Sequence, residues 1–132
     1  MRRIRFAVAA LADLREGLGY IAEENPNAAD RIADAIEKRL RQLKRVPRAG
    51  RVVPELADPE RREVLVHPFR IVYRLVENDI RVVAVVQVKR DFEAALPAET
   101  GPGDVPDVTG ARIPAAAYRG RRKRKREAPS GR

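Results

Sequence analysis

The residues able to do chemistry in this chain are few and cationic. Arg70 and Arg74 stand in the run FRIVYRLV, Lys89 and Arg90 follow the next apolar run, and His67 precedes them beside Pro68. Together they could serve one reaction, the cleavage of RNA by its own 2′-hydroxyl. That reaction needs a base for the hydroxyl proton, a cation for the phosphorane charge and an acid for the leaving 5′-oxygen. Arg70, Arg74, Lys89 and Arg90 could hold the charge, and His67 or a displaced lysine could act as base. The plainer reading is the wet face of an antiparallel sheet, which carries such residues with no catalytic role. Composition closes other routes. The 132 residues include no cysteine and one histidine, which excludes disulfides, thiol nucleophiles and Cys-based or multi-His zinc sites. Gly101-Pro-Gly103 follows no strand and contains a proline, so it is no phosphate cradle. No metal and no cofactor is expected.

The elements that must position these cations lie in Arg62 to Phe92, which splits at Pro68 and at Glu77-Asn78-Asp79 into strand-like pieces. In the first long piece Phe69, Ile71, Tyr73 and Leu75 share one face, and Arg70, Val72 and Arg74 the other. In the second, strict alternation puts Ile80, Val82, Ala84, Val86 and Val88 together, with Arg81, Gln87 and Lys89 opposite. Glu77-Asn78-Asp79 suits the hairpin turn, because Asn and Asp tolerate positive φ. Unbroken parity would aim Arg90 into the core, so the strand should end or bulge near Lys89.

Upstream, Arg2 to Val8 reads as an edge strand. Leu11, Leu14, Leu18 and Ile21 then form one helical stripe. Asn25-Pro26-Asn27 ends that helix, and Asn27 is expected to cap the next. The second helix carries Ala29, Ile32, Ala33, Ile36, Leu40 and Leu43 on one face, and Arg31, Asp34, Glu37, Lys38 and Arg41 on its solvated side. Pro47 and Gly50 end it. Gly50 to Arg61 reads as a linker. The fold class is therefore α+β, with an N-terminal strand and an antiparallel helical hairpin packed on a small, mainly antiparallel sheet.

Residues 1–92 read as one domain, and 93–132 as a Pro/Gly-rich, basic, disordered tail without core residues. The tail ends in Arg121, Arg122, Lys123, Arg124, Lys125 and Arg126, a run suited to non-specific binding of polyanions. Net charge is +9, which fits either an anionic partner (nucleic acid, an acidic protein or a membrane surface) or a soluble basic protein whose charge sits mainly in a tail. Arg2, Arg3 and Arg5 before Phe6 to Ala12 imitate a signal peptide, but Asp13 interrupts the run. No segment reaches the ~20 apolar residues that span a bilayer, and the expected location is the cytoplasm.

One ordered series runs from residue 3 to 92: Asp13-Leu14, Tyr20-Ile21-Ala22, Asn25-Pro26, Ala28-Ala29, Pro47, Gly50-Arg51, Pro54-Glu55, Arg62-Glu63, Phe69-Arg70-Ile71-Val72-Tyr73-Arg74 and Lys89-Arg90-Asp91. Taken whole, it resembles the RelE/ParE family, the toxins of type II toxin–antitoxin systems. The resemblance implies a cognate antitoxin, a toxin–antitoxin hetero-oligomer, and one of two targets. RelE-like members cleave messenger RNA on the ribosome with basic residues and a tyrosine near the C-terminal end. ParE-like members act on DNA gyrase and have largely lost that set. Arg70 and Arg90 match family arginines and would be catalytic in an endoribonuclease.

The tyrosine has no counterpart in Phe92-Glu-Ala-Ala-Leu96, and Tyr118 lies far beyond. Where the RNA-cleaving branch has lysines, Arg61-Arg62-Glu63 stands, with an acid in one basic place. The resemblance therefore favours the ParE-like branch: a gyrase inhibitor rather than an enzyme, with Arg70, Arg74, Lys89 and Arg90 as partner-binding residues. The alternative is a ribosome-dependent endoribonuclease. A third reading is a basic nucleic-acid-associated protein that binds through its tail, with strong salt dependence.

Overall fold

The computed structural model describes residues 2–88 together with Ile113 and Tyr118. Strand β1 (Ile4–Phe6) leads through Ala7 into helix α1 (Val8–Glu24), and helix α2 (Pro26–Arg45) returns antiparallel to it. Strands β2 (Arg51–Val52), β3 (Arg61–Val66), β4 (Phe69–Val76) and β5 (Asp79–Gln87) follow. They form one five-stranded sheet in the order β1-β5-β4-β3-β2. Only β1 runs parallel to its neighbour; the other pairs are antiparallel. This is the expected α+β architecture, with one strand more than expected: β2 pairs with β3 inside the stretch read as a linker.

A single residue serves both helices at their junction. The Asn25 backbone N–H donates to the Ile21 carbonyl at 2.8 Å, closing α1, while its side-chain oxygen accepts from Ala28 N–H at 3.1 Å, opening α2. Asn25, not Asn27, is the cap, because Pro26 takes the first helical position, where its missing N–H costs nothing. Lys44 and Arg45 in the last turn of α2 face the negative end of its dipole.

The helices cover one face of the sheet. Leu14 and Leu18 from α1, and Ala29, Ala33, Ile36, Leu40 and Leu43 from α2, meet Ile4, Phe6, Val64, Phe69, Ile71, Tyr73, Ile80, Val82 and Val85 in one buried core. Leu11, Ile21 and Ile32 lie only partly buried at its margin. Alternation fails in β5, and the reason is a bulge. Tyr73 pairs with Val82 but Val72 pairs with Ala84, so Val83 is an extra residue. β5 ends at Gln87, in keeping with the expected end or bulge near Lys89, while this bulge at Val83 was not expected; Lys89 itself lies outside the described residues. Beyond the bulge the faces exchange: Val85 joins the helix-side core, while Ala84 and Val86 turn to the other side.

That other side is not uniformly wet. Val72, Val83, Ala84 and Val86 form a second buried cluster there with Val53, and Leu56 packs against it. The stretch after β2 thus folds back over part of the open face. In the β4–β5 turn, the residue with positive φ is Glu77 (φ 57), not Asn78 or Asp79, and Asp79 already belongs to β5.

The segment expected to share nothing with the core contributes two residues to it. Ile113 and Tyr118 are 6% and 2% exposed within the main cluster. The Ile113 N–H donates to the Glu37 carboxylate, and the Tyr118 hydroxyl donates to Asp30 at 2.8 Å. Asp30 and Glu37 are two helical turns apart on α2, so Glu37 belongs to a covered face rather than the solvated one.

Candidate functional site

Arg70 lies on β4 with its side chain on the open face, two positions from Val72 and directly across from Leu65 on β3 and Val86 on β5. It does not project into solvent. Its Nη1 and Nη2 donate to Glu55 Oε2 and Oε1 at 3.0 and 2.9 Å, a two-pronged carboxylate contact. Its Nε donates to Glu63 Oε1 at 2.8 Å, and Nη2 approaches the same oxygen at 2.7 Å. The second oxygen of Glu63 accepts from Arg51 Nε at 2.6 Å.

The result is a chain of alternating charge, Arg51–Glu63–Arg70–Glu55, anchored on a Glu63 side chain that is 0% exposed. Val53 and Leu56, seated on the second cluster, bring Glu55 into place. Electrostatics follow from the geometry. The hydrogen bonds from Arg70 hold the Glu55 carboxyl below its ordinary range, and the same bonds, with those to Glu63, raise the Arg70 pKa.

Tyr73, on the helix side of β4, ties the other end of α2 to the sheet. Its hydroxyl donates to the Pro47 carbonyl at 2.6 Å and accepts from Gly50 N–H at 3.0 Å. Burial pushes its pKa up. A Cβ on residue 50 would stand 2.7 Å from that hydroxyl oxygen, which accounts for the glycine.

The other expected site residues are scattered or lie outside the described residues. Arg74 sits four residues along β4 from Arg70, with Val72 between them on the same face, opposite Arg81 and Arg61 and half-buried. His67 is exposed at the β3–β4 turn, on the cis peptide to Pro68. Lys89, Arg90 and the tail cations Arg121, Arg122, Lys123, Arg124, Lys125 and Arg126 lie outside the described residues. Sequence reading missed the partners that define Arg70. Glu63 was read only as an acid in a basic place, and Glu55 comes to Arg70 only through the fold of residues 53–56.

A cleft of about 250 Å³ opens between α1 and the β4–β5 hairpin, lined by Asp13, Glu16, Tyr20, Phe69 and Gln87 among others. Two carboxylates on its wall suit it poorly to a phosphate ligand. Among the described residues no cluster of His, Cys, Asp and Glu could hold a metal, and no helix is long and apolar enough to cross a membrane.

Comparison with protein-family models matches residues 4–92 to the ParE toxin of type II toxin–antitoxin systems. The chain belongs to the ParE toxin family. The match spans every helix and strand described above and stops short of Ile113 and Tyr118. A search of curated proteins found no match. This ParE-family chain is thus the toxin component of a type II toxin–antitoxin system, and membership implies a cognate antitoxin as partner. The helical-hairpin-on-sheet fold expected from the RelE/ParE resemblance is the fold this toxin has.

Proposed function

We propose that this toxin acts in the cytoplasm by protein–protein contact with DNA gyrase and is silenced in a hetero-oligomer with its antitoxin. The observation that carries this reading is the state of Arg70. An RNA-cleaving member needs a cation poised for a phosphorane, so that new charge is met by a preorganised donor. Arg70 already meets two carboxylates, and Glu63, in a place where the RNA-cleaving branch is basic, is one of them. Bringing an anionic phosphodiester beside Glu55 and Glu63, and building further charge on its phosphorane, would add repulsion where the reaction needs attraction. The same chain of charges is no obstacle to a toxin that needs only affinity. Residues 1–92 form the toxin domain on this reading, and the segment after it is an addition to the family core.

The deciding experiment sets supercoiling by purified gyrase beside messenger RNA cleavage on programmed ribosomes, using one toxin preparation. Inhibited supercoiling with intact messenger RNA is expected. Codon-phased cuts with unimpaired supercoiling would assign the toxin to the ribosome and make Arg70 a catalytic residue.

A further inference from the structure

Where α2 ends, residues 47–50 turn the chain into β2, and three arginines from different parts of the fold gather around that turn. Arg62 lies on the helix side of β3, directly across from Tyr73 on β4 and Val52 on β2. Its Nη1 donates to the Gly50 carbonyl at 3.0 Å and the Arg48 carbonyl at 3.4 Å, so backbone fixes its guanidinium. Arg39, one turn before Leu43 on α2, is half-buried and donates to Gln42 at 2.7 Å. Arg48, within the turn, is exposed. All three stand close enough to the Tyr73 hydroxyl to favour its ionised form, against the larger effect of burial.

This group differs from other arginines of the toxin. Arg3, Arg5, Arg51, Arg61 and Arg70 each pair with a carboxylate. Among the described residues no carboxylate, Glu60 included, comes within ion-pair distance of Arg39, Arg48 or Arg62. Glu63, next to Arg62 in the chain, turns to the other face and meets Arg51 and Arg70. Three like charges held together repel one another, and a carboxylate brought from outside offsets that repulsion. The surface beside them is apolar. Val46, which follows α2, is 56% exposed, and Val52, across from Arg62, is 39% exposed.

We propose that this corner of the toxin is a docking surface for an acidic segment of a protein partner, whose carboxylates meet Arg39, Arg48 and Arg62 and whose apolar side chains cover Val46 and Val52. The pairing of cations with exposed valines favours a peptide over nucleic acid. A phosphate backbone would use the charges and leave the valines without a partner, whereas an acidic peptide with apolar anchors uses both. Guanidinium groups bind carboxylates with paired donors, and Arg62 is already held in place, so little order is lost on binding. Charge then speeds the encounter, while apolar burial sets the lifetime of the complex. The surface lies on the opposite side of the sheet from the Arg70 network. It is independent of the gyrase reading, since its test contains no gyrase.

The test is fluorescence anisotropy of a labelled peptide of about twelve residues, glutamate with leucine at every third position, titrated with the full-length toxin at about 50 and about 200 mM salt. Arg121, Arg122, Lys123, Arg124, Lys125 and Arg126 are first changed to Gln, so that the tail does not capture the peptide. In that background Arg39→Gln with Arg48→Gln should weaken binding about tenfold at the lower salt and less at the higher. Arg48→Gln alone, at an exposed position, should weaken it about threefold, and decides the matter if the pair does not fold by circular dichroism. Val46→Ser with Val52→Ser should weaken binding about fivefold at both salts alike, since apolar burial is not screened. Unchanged affinity in the arginine variants would overturn the surface. Unchanged affinity in the valine pair would overturn its assignment to a peptide. So would tighter binding of a single-stranded oligonucleotide of equal charge that the same arginine variants abolish.

Discussion

Arg70 engages all three guanidinium nitrogens inside the protein, and the consequence for mutagenesis is direct. Glu63 has no exposed side-chain surface, so removing its partner leaves a buried carboxylate with Arg51 alone. Breaking a buried pair from one side is costly, and Arg70→Ala should lower stability by about 3 kcal/mol, read as the shift of a urea midpoint at constant m-value. A shift under about 1 kcal/mol would mean that the network does not hold the fold. Any loss of toxicity in this variant must be set against the amount of folded protein. Glu55 adds a pH dependence of known sign. Its folded pKa is lowered by Arg70, so its contribution is present above the ordinary carboxylate pKa and is lost as pH falls through the lowered value.

At the scale of elements, α1 sits unusually close to β4. A Cβ placed on Gly17 would come within 2.6 Å of Phe69 Cε1 and 2.8 Å of Cζ. Phe69 is 1% exposed in the main core, so moving its ring disturbs the packing there. An alanine in a helix is ordinarily worth about 1 kcal/mol over glycine, but here overpacking opposes it by about 1–3 kcal/mol. Gly17→Ala is therefore expected to destabilise by up to about 2 kcal/mol. Phe69→Leu in the same chain should recover part of the loss, because the methyl then has room. Thermal melts of the three variants check this, and a Gly17→Ala protein more stable than the parent would show that the helix simply moves away.

The molecule as a whole extends beyond its family core. Residues 4–92 match the family, yet Ile113 and Tyr118 are buried against the helical hairpin, held by Glu37 and Asp30 of α2. Tyr118→Ala should cost about 3 kcal/mol, within the range for removing a large buried ring, and Tyr118→Phe about 1 kcal/mol for the bond to Asp30. Cutting the chain after Ala95 should cost more than about 2 kcal/mol. A truncated protein that melts with the full chain would return the segment to the status of a tail outside the fold.

What could be read from the sequence was what depends on local pattern. Helical spacing in Leu14 and Leu18, and from Ala29 to Leu43, named the buried faces of both helices. Alternation in Phe69, Ile71 and Tyr73 named the core side of β4, since side-chain direction along a regular element follows from backbone geometry alone. The ordered series from Asp13 to Asp91 carried the toxin family.

Other features depended on pairs far apart in the chain. Nothing within β5 marks Val83 as an extra residue; its bulge exists only opposite Val72 and Tyr73, and it decides which face Ala84, Val85 and Val86 take. Asn25 displaced Asn27 as cap because both helices meet on it. Arg70 read as an available cation because its partner Glu55 stands 15 residues away, on a stretch whose only signal was its turn residues. Charge at a single position is a property of sequence, but the neighbours that neutralise it are supplied only by tertiary pairing.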